Sequence, residues 1–411
     1  RDMSLTYDAL RDAVAGEGVG IRARTELEPL GGPGDKVFPP TYAVSNDAEP
    51  RYAIERRRLP DGGTSVTSVV LDSVASQANR AELALLAAIR GGEARLPLTS
   101  ADFRVFDDLV GYDRISDLEA PHRIFDAILR DSLHGEVLFR FGPVGRAVTE
   151  ATPRNATALL HHAPAALVFG AWDSTGPRGG RGAKYERAWT SEIVAFDIEV
   201  GRKTSSRIDP LGIELKAVPV YETPDGDWTL DESEARREKG KPKKVKPSEV
   251  NHGNVAPSID DRAGGVTAAR IEATTVLSLI QLRRLGFPTS VDGALLSEDR
   301  RREAEVAART ALAALGVAAA VLAFDDGFDL RSRCVLVAKH PLRFDLMSRT
   351  GDARTFELDR AGALALLDTA LDVSAAAGLP VRSDELLLRP TDRLAELARR
   401  TRDHAIAVGE E

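Results

Sequence analysis

The stretch VFGAWDSTGPRGGRGAKYERAW, Val168 to Trp189, gathers residue types that could do chemistry on a phosphate or a nucleic acid. Gly176, Gly179, Gly180 and Gly182 free the backbone to approach a ligand closely. Arg178, Arg181, Lys184 and Arg187 supply cations, and Trp172 and Trp189 bracket them. Glycine, guanidinium and an aromatic face are the materials of single-stranded nucleic-acid grooves, where bases stack and the backbone is neutralised. The same composition also describes a surface loop. A nucleotide-phosphate loop is disfavoured, because a Walker motif needs Gly-Lys-Ser/Thr and here Ala183-Lys184-Tyr185 follows Gly182. The DSTG of Asp173 to Gly176 is not an aspartic-protease signature either, since its glycine stands one place late and no second copy offers the partner carboxylate.

Two predicted helices carry further candidates. In the helix from Asp72 to Arg90, Ser73, Ser76, Gln77 and Arg80 recur at i, i+3, i+4 and i+7 and share one face of the first two turns. Backbone N–H groups at a helix start favour anions, so this stripe can hold a phosphate with Arg80 closing on it, or be a capped, solvated face. A second helix from Pro121 presents His122, Arg123 and Arg130, with Asp126 placed to answer the cations of its first turn. Metal and nucleophile readings are weaker. His161 and His162 are adjacent and so point about 100° apart on a helix, which is no i, i+4 ligand pair. NHGN, Asn251 to Asn254, reads as a turn held by its Asn side chains. Cys334, inside RCVLVA, reads as a buried small hydrophobe.

The elements that must position these residues read as α+β. A hairpin spans Arg51 to Leu71 around Asp61-Gly62-Gly63. The helix that follows starts at an Asp72 cap and stops before Gly91-Gly92. Strands are expected at Ala165 to Ala171 and Tyr185 to Val200, joined by the glycine-rich loop, and a further hairpin at the Asp225-Gly226 turn. The basic run EARREKGKPKKVKPSE reads as a mobile exposed insertion. Helical periodicity is expected over Val266 to Leu285, Glu298 to Leu315, Arg360 to Ala377 and Thr391 to Ala407, with strands at Val317 to Phe324 and Arg333 to Ala338.

Composition narrows the classes. At 411 residues the chain has ample length for its own core, and its single cysteine excludes an intrachain disulfide framework and suits a reducing compartment. No apolar run is expected to approach the roughly 20 residues of a membrane span, and no signal-peptide order opens the chain. Arg1-Asp2 ahead of Met3 reads as a processing remnant, and the protein as cytoplasmic, without a membrane partner. A formal charge of −8 argues against a generally nucleic-acid-binding surface and confines any such binding to a local basic groove.

Six blocks, in order, resemble one family: GGPGDKVFPPTY (Gly31 to Tyr42), LDSVASQANRAEL (Leu71 to Leu83), APHRIFDAILRDS (Ala120 to Ser132), LVFGAWDSTGPRGGRGAKYERAWTSEIV (Leu167 to Val194), SRIDPLGI (Ser206 to Ile213) and NHGNVAPS (Asn251 to Ser258). They are similar to the Cas-seven backbone subunit of type I-G CRISPR systems, formerly type I-U. The resemblance implies a modified RRM-like (ferredoxin-like) palm with inserted thumb and finger segments and a helix-rich C-terminal part. The palm would occupy 1–290, with the thumb or finger insertion at 216–256, and 291–411 would complete the palm and pack on it. It implies a crRNA-binding subunit and not an enzyme, without cofactor or metal. Copies would stack head to tail along the guide, present it to target DNA and assemble with other Cascade subunits. The residues it places on the guide are Ser76, Gln77, Asn79, Arg80, His122, Arg123, Trp172, Ser174, Thr175, Arg178, Arg181, Lys184, Arg187, Arg207, Asn251 and His252, with contacts mainly to sugar and phosphate. The aromatic motif of ordinary RRM sheets is absent from the sequence. The rival reading is a metal-dependent ribonuclease that processes the guide, with Asp173 and Asp209 as metal carboxylates and His122 or His252 as base.

Overall fold

The computed structural model describes residues 4–43, 51–59, 61–109, 111–176, 182–213, 218–250, 252–253 and 255–408. Its centre is an antiparallel sheet in which Val266–Ser278 lies between Gly18–Pro29 and Trp189–Val200. Ser65–Asp72 and Ile54–Arg58 extend it on one side, and Cys334–Ala338 with Phe328–Arg331 extend it on the other. Phe344–Ser348 also pairs with Gly18–Pro29 and carries Ala353–Phe356 outside it. Register sets Ala23 opposite Thr275 and Ile193 opposite Ala273, so Ile21, Ala23, Ile193, Ala195, Ile271 and Ala273 are buried on one face.

The opposite face is a lattice of ion pairs. Arg24 and Arg270 both reach the buried Glu272, at 2.9 and 2.6 Å, Arg57 reaches Glu192 at 2.6 Å and Lys339 reaches Glu26 at 2.6 Å. Helices cover the apolar face around Ile21 and Ala23, whereas Ile193, Ala195, Ile271 and Ala273 pack in a separate cluster with Val37, Tyr52, Leu330 and Leu336. Val74–Arg90 packs on Trp189–Val200, and the long Glu298–Asp325 helix runs between Val74–Arg90 and Arg360–Ala376. Its Ala-rich middle lets neighbours approach closely, and a Cβ on Gly316 would meet Leu277 Cδ1 at 2.8 Å.

A second sheet joins Leu98–Asp102, Arg114–Ser116, Ser132–His134 and Val137–Leu138 through Glu385–Pro390, which runs parallel to Leu98–Asp102. Between Val200 and Val266 the chain leaves the main sheet. Lys203–Arg207 pairs with Val255–Asp260 as a two-stranded ribbon, and Val220–Glu222 pairs with Trp228–Thr229 and Lys244–Val245.

Several sequence expectations are met and several are corrected. The hairpin around Asp61-Gly62-Gly63 forms, with Ile54 opposite Val69 and Arg58 opposite Ser65. The next helix runs Val74–Arg90, but its cap is Ser73, whose Oγ accepts from Ser76 N at 3.3 Å; Asp72 is the last strand residue. The helix expected from Pro121 is broken into a 3₁₀ turn, Arg123–Phe125, and a short helix, Ala127–Arg130, because Arg123 has φ 53° and Asp126 caps a fresh start. Pro164–Phe169 is helical where a strand was expected, with Pro164 at its first turn.

Val266–Ser278 is a strand and only Leu279–Arg283 is helical, the reverse of the expected long helix. The strand expected at Val317 to Phe324 lies inside the Glu298–Asp325 helix. The basic run is mostly exposed, as expected, and within it Arg237–Glu238 and Lys241–Pro242 form a hairpin whose turn residues Lys239 and Gly240 both have positive φ. Glu298–Asp325 is also long and apolar enough to cross a membrane by length and composition, which corrects the expectation that no run reaches that length. It is a core helix, with 83 % of that apolar stretch buried inside the protein.

Candidate nucleic-acid interface

The polar stripe at the start of Val74–Arg90 turns inward. Asp72, buried at the strand end, accepts from Gln77 Nε2 at 2.6 Å, Arg80 Nε at 3.0 Å and Arg331 Nη2 at 3.3 Å. Gln77 Oε1 accepts from Ser191 Oγ, and Arg80 goes on to the carbonyls of Asp329 and Leu330 at 3.1 and 2.7 Å. The stripe thus ties the helix to both sides of the sheet, leaving Ser76 half-buried and Asn79 exposed.

Further along the same helix, Glu82 is buried in an apolar stretch and finds Arg123. The guanidinium meets both carboxylate oxygens at 2.5 and 2.7 Å and donates to Gly170 O at 2.9 Å, with the Phe169 ring 5.8 Å away. Burial pushes the Glu82 carboxyl up and Arg123 pulls it back. Asp117, fully buried beside them, accepts from Thr99 N at 3.1 Å and is pushed up to about 7 by burial, with the Glu82 charge adding to the effect.

Gly170, at φ 83°, turns the chain over Arg123 into a two-residue hairpin, Ala171–Trp172 with Lys184–Tyr185. A Cβ on Gly170 would meet Arg187 Cγ at 2.8 Å, so glycine is required there. The result is an open cleft of about 670 Å³ lined by His122, Arg123, Trp172, Lys184 and Arg187 together with Gln281 from the helix after the central strand. Trp172 is 51 % exposed, whereas Trp189 is 2 % exposed and packs edge-on against Phe169 at 5.2 Å, as its bulk and strand position suggest. Lys184 and Arg187 are exposed and make no hydrogen bond or ion pair among the described residues, although the Arg187 charge acts on Glu82.

The glycine-rich loop is held at its stem. Asp173, 2 % exposed, accepts from Arg140 Nη2 at 2.8 Å, while Arg140 Nη1 donates to Thr175 O at 2.5 Å and Arg130 reaches Thr175 Oγ1 at 3.4 Å. A Cβ on Gly182 would come within 2.0 Å of Asp173 O. Asp173 Oδ1 therefore holds an arginine in place at the start of the loop, while its buried Oδ2 has no hydrogen-bond partner among the described residues. Ser174 and Thr175 are exposed beside it; Arg178 and Arg181 lie outside the described residues.

The remaining candidates are elsewhere. Arg207 is exposed at the end of the Lys203–Arg207 ribbon strand, and Asn251 lies outside the described residues. His252 is half-buried with its ring edge-on to Trp228 at 5.7 Å. Asp209 accepts from Gly253 N and Leu211 N at 2.9 and 2.8 Å, and these backbone donors hold its carboxyl below the ordinary range. Among the described residues no group of three or more His, Cys, Asp or Glu side chains is placed to hold a metal ion.

Cys334 is fully buried, as its sequence setting indicated. Residues that the sequence did not single out are Glu82, Arg140, Tyr185 and Gln281. Only Glu82 carried a signal, as a lone acid in AELALLAAI that demands a buried partner.

An α+β fold with an open sheet and a cleft joining cations to an exposed indole has the features that suit a single-stranded polyanion. Residues 21–200 match the family described as CRISPR-associated protein GSU0053, a segment that contains His122, Trp172, Lys184 and Arg187. No curated protein matches the chain. The match spans less than 45 % of the chain, 180 of 411 residues, and supports a CRISPR-associated protein with a role in CRISPR-Cas defence.

Proposed function

We propose that the chain is the crRNA-binding backbone subunit of a type I-G Cascade-like surveillance complex, cytoplasmic and without catalytic activity of its own. In this reading the antiparallel sheet is the RRM-like palm, and the ribbon and small sheets between Val200 and Val266 are its thumb or finger. Copies follow one another along the guide and leave it displayed for pairing with target DNA, so sequence choice belongs to the guide and not to the protein. The observation that carries the reading is the cleft. Its two uncommitted cations and exposed indole sit in a chain of net charge −8, which matches a guide path confined to one groove on an otherwise acidic body.

The ribonuclease alternative is not favoured, because Asp173 Oδ1 accepts from Arg140, Asp209 accepts from backbone amides, and among the described residues no group of three or more His, Cys, Asp or Glu is placed to hold a metal ion. Co-expression with a cognate CRISPR array, purification and nuclease digestion test the proposal. A ladder of protected RNA at regular spacing is expected, whereas RNA-free protein, or Mg²⁺-dependent cleavage of repeat RNA that Asp173→Ala abolishes, would reject it.

A further inference from the structure

Glu186 is the one carboxylate among the described residues that line the cleft, where it stands with His122, Arg123, Lys184 and Arg187. It follows the buried Tyr185 and is exposed, as are Lys184 before that tyrosine and Arg187 after it. From the opposite wall, Arg284, the residue after the Leu279–Arg283 helix whose Gln281 also lines the cleft, donates from Nη1 to Glu186 Oε2 at 3.2 Å. The two side chains are 66 and 62 % exposed, so this is a surface pair of the kind that contributes little. Glu186 Oε1 makes no hydrogen bond among the described residues, and an ionised carboxylate has about four acceptor sites to fill.

A negative group in a groove that receives a polyanion is unfavourable unless the strand returns a hydrogen-bond donor. Along a single strand the phosphates and the sugar ring oxygens offer acceptors only. Base amino and imino groups donate, but they change with sequence, and a subunit that takes every guide has no use for them. The 2′-hydroxyl is the donor that every ribonucleotide carries and that deoxyribonucleotides lack. Two cations with a carboxylate between them therefore match a strand on which phosphates alternate with hydroxyls. We propose that Glu186 selects ribose: Oε1 accepts from a 2′-hydroxyl of the strand held by Lys184 and Arg187, and so discriminates RNA from single-stranded DNA. The inference rests on the single-stranded RNA reading and adds to it the residue that recognises the sugar.

The test measures, by anisotropy with the full chain, the binding of three single strands of one sequence: RNA, DNA, and RNA whose 2′-hydroxyls are replaced by 2′-fluorine, which keeps a ribose-like sugar but cannot donate. Wild type is expected to bind RNA about tenfold more tightly than the 2′-fluoro strand, the scale of one hydrogen bond to a charged group. Glu186→Ala should leave Tm unchanged, because it removes only an exposed pair. In that variant RNA should weaken, while the 2′-fluoro strand and DNA tighten as a repulsion is lifted with no hydrogen bond lost, so the preference nearly disappears. Arg284→Ala leaves the carboxylate in place and should keep the preference; its loss there would make Glu186 a brace for the arginine and overturn the assignment. Equal binding of RNA and the 2′-fluoro strand by wild type, or a preference that survives Glu186→Ala, also overturns it while the RNA-binding reading stands. Failure to bind single-stranded RNA at all overturns both.

Discussion

Trp172 and Lys184 are direct cross-strand partners, so the half-exposed indole and an uncommitted ammonium stand side by side on one surface of the hairpin. Their near neighbour Trp189 has the same ring with the opposite placement. Trp172→Ala should leave Tm essentially unchanged and weaken single-stranded RNA by about 1–3 kcal/mol, the worth of one aromatic stacking platform. Trp189→Ala should cost about 3–5 kcal/mol of folding free energy through the cavity it leaves. Urea denaturation and RNA titration of the two variants separate these outcomes; an RNA affinity untouched by Trp172→Ala would remove the indole from the interface.

The Lys184 and Arg187 side chains make no hydrogen bond or ion pair among the described residues that neutralisation would break, and only Arg187 acts on a buried group, the Glu82 carboxyl. The Lys184→Gln, Arg187→Gln double variant should fold and lose most RNA retention. Titrations at several salt concentrations should show a shallower slope of log K against log[salt], by about 0.7 for each phosphate of a single strand that is no longer neutralised. An unchanged slope would mean that the phosphates lie elsewhere.

Arg123 behaves differently because its guanidinium is already taken. Arg123→Ala strands the buried Glu82 carboxylate and should cost about 3–5 kcal/mol. Combining Arg123→Met with Glu82→Gln should restore a large part of it in a double-mutant cycle. The same logic applies to reversal of Arg80, which would break its bonds to Asp72 and to the Asp329 and Leu330 carbonyls. Loss of RNA in either variant therefore reports on folding first, and thermal melts should show the loss of stability directly.

The carboxyl of Asp117 sets a pH dependence. Its ordinary value is 3.8 and in the fold it is pushed up to about 7, so the folded state binds the proton more tightly than the unfolded chain. The stabilisation is complete below 3.8 and is lost as pH rises through about 7, with a slope approaching about 1.4 kcal/mol per pH unit. His162 acts in the other direction. Burial lowers it from 6.5 to about 4, and its contribution is present above 6.5 and fades as pH falls. Denaturation of wild type and Asp117→Asn between pH 4 and 8 should show curves that diverge with rising pH in favour of the variant; parallel curves would show that Asp117 ionises freely.

Local signals carried the elements with strong punctuation. Asp61-Gly62-Gly63 marked its hairpin, and Gly91 marked the end of Val74–Arg90. Val266–Ser278 misled because one of its faces packs apolar residues while the other holds Arg270 and Glu272, whose partner Arg24 is about 250 positions away in the chain. A strand whose buried acid is answered partly from its own strand and partly across the sheet reads, on its own, like an amphipathic helix. The site was partly legible in the same way. Composition located Trp172, Lys184 and Arg187, but nothing in the neighbouring residues distinguishes these available cations from Arg80 and Arg123. That difference is made by Asp72 and Glu82, and only the fold brings them together.

The order of strands also constrains how the molecule comes into being. Gly18–Pro29 leaves the ribosome early, yet its pairing partners in the sheet begin at Val266 and extend to Ser348. Such distant pairing slows folding and keeps unpaired strand edges exposed during synthesis. A nascent chain ending near residue 200 would already carry the Trp172 and Lys184 hairpin but would lack the central strand that holds the sheet together. Ribosome-bound intermediates should therefore remain protease-sensitive until residue 278 emerges, and newly made copies should need sheltering from one another until the sheet closes.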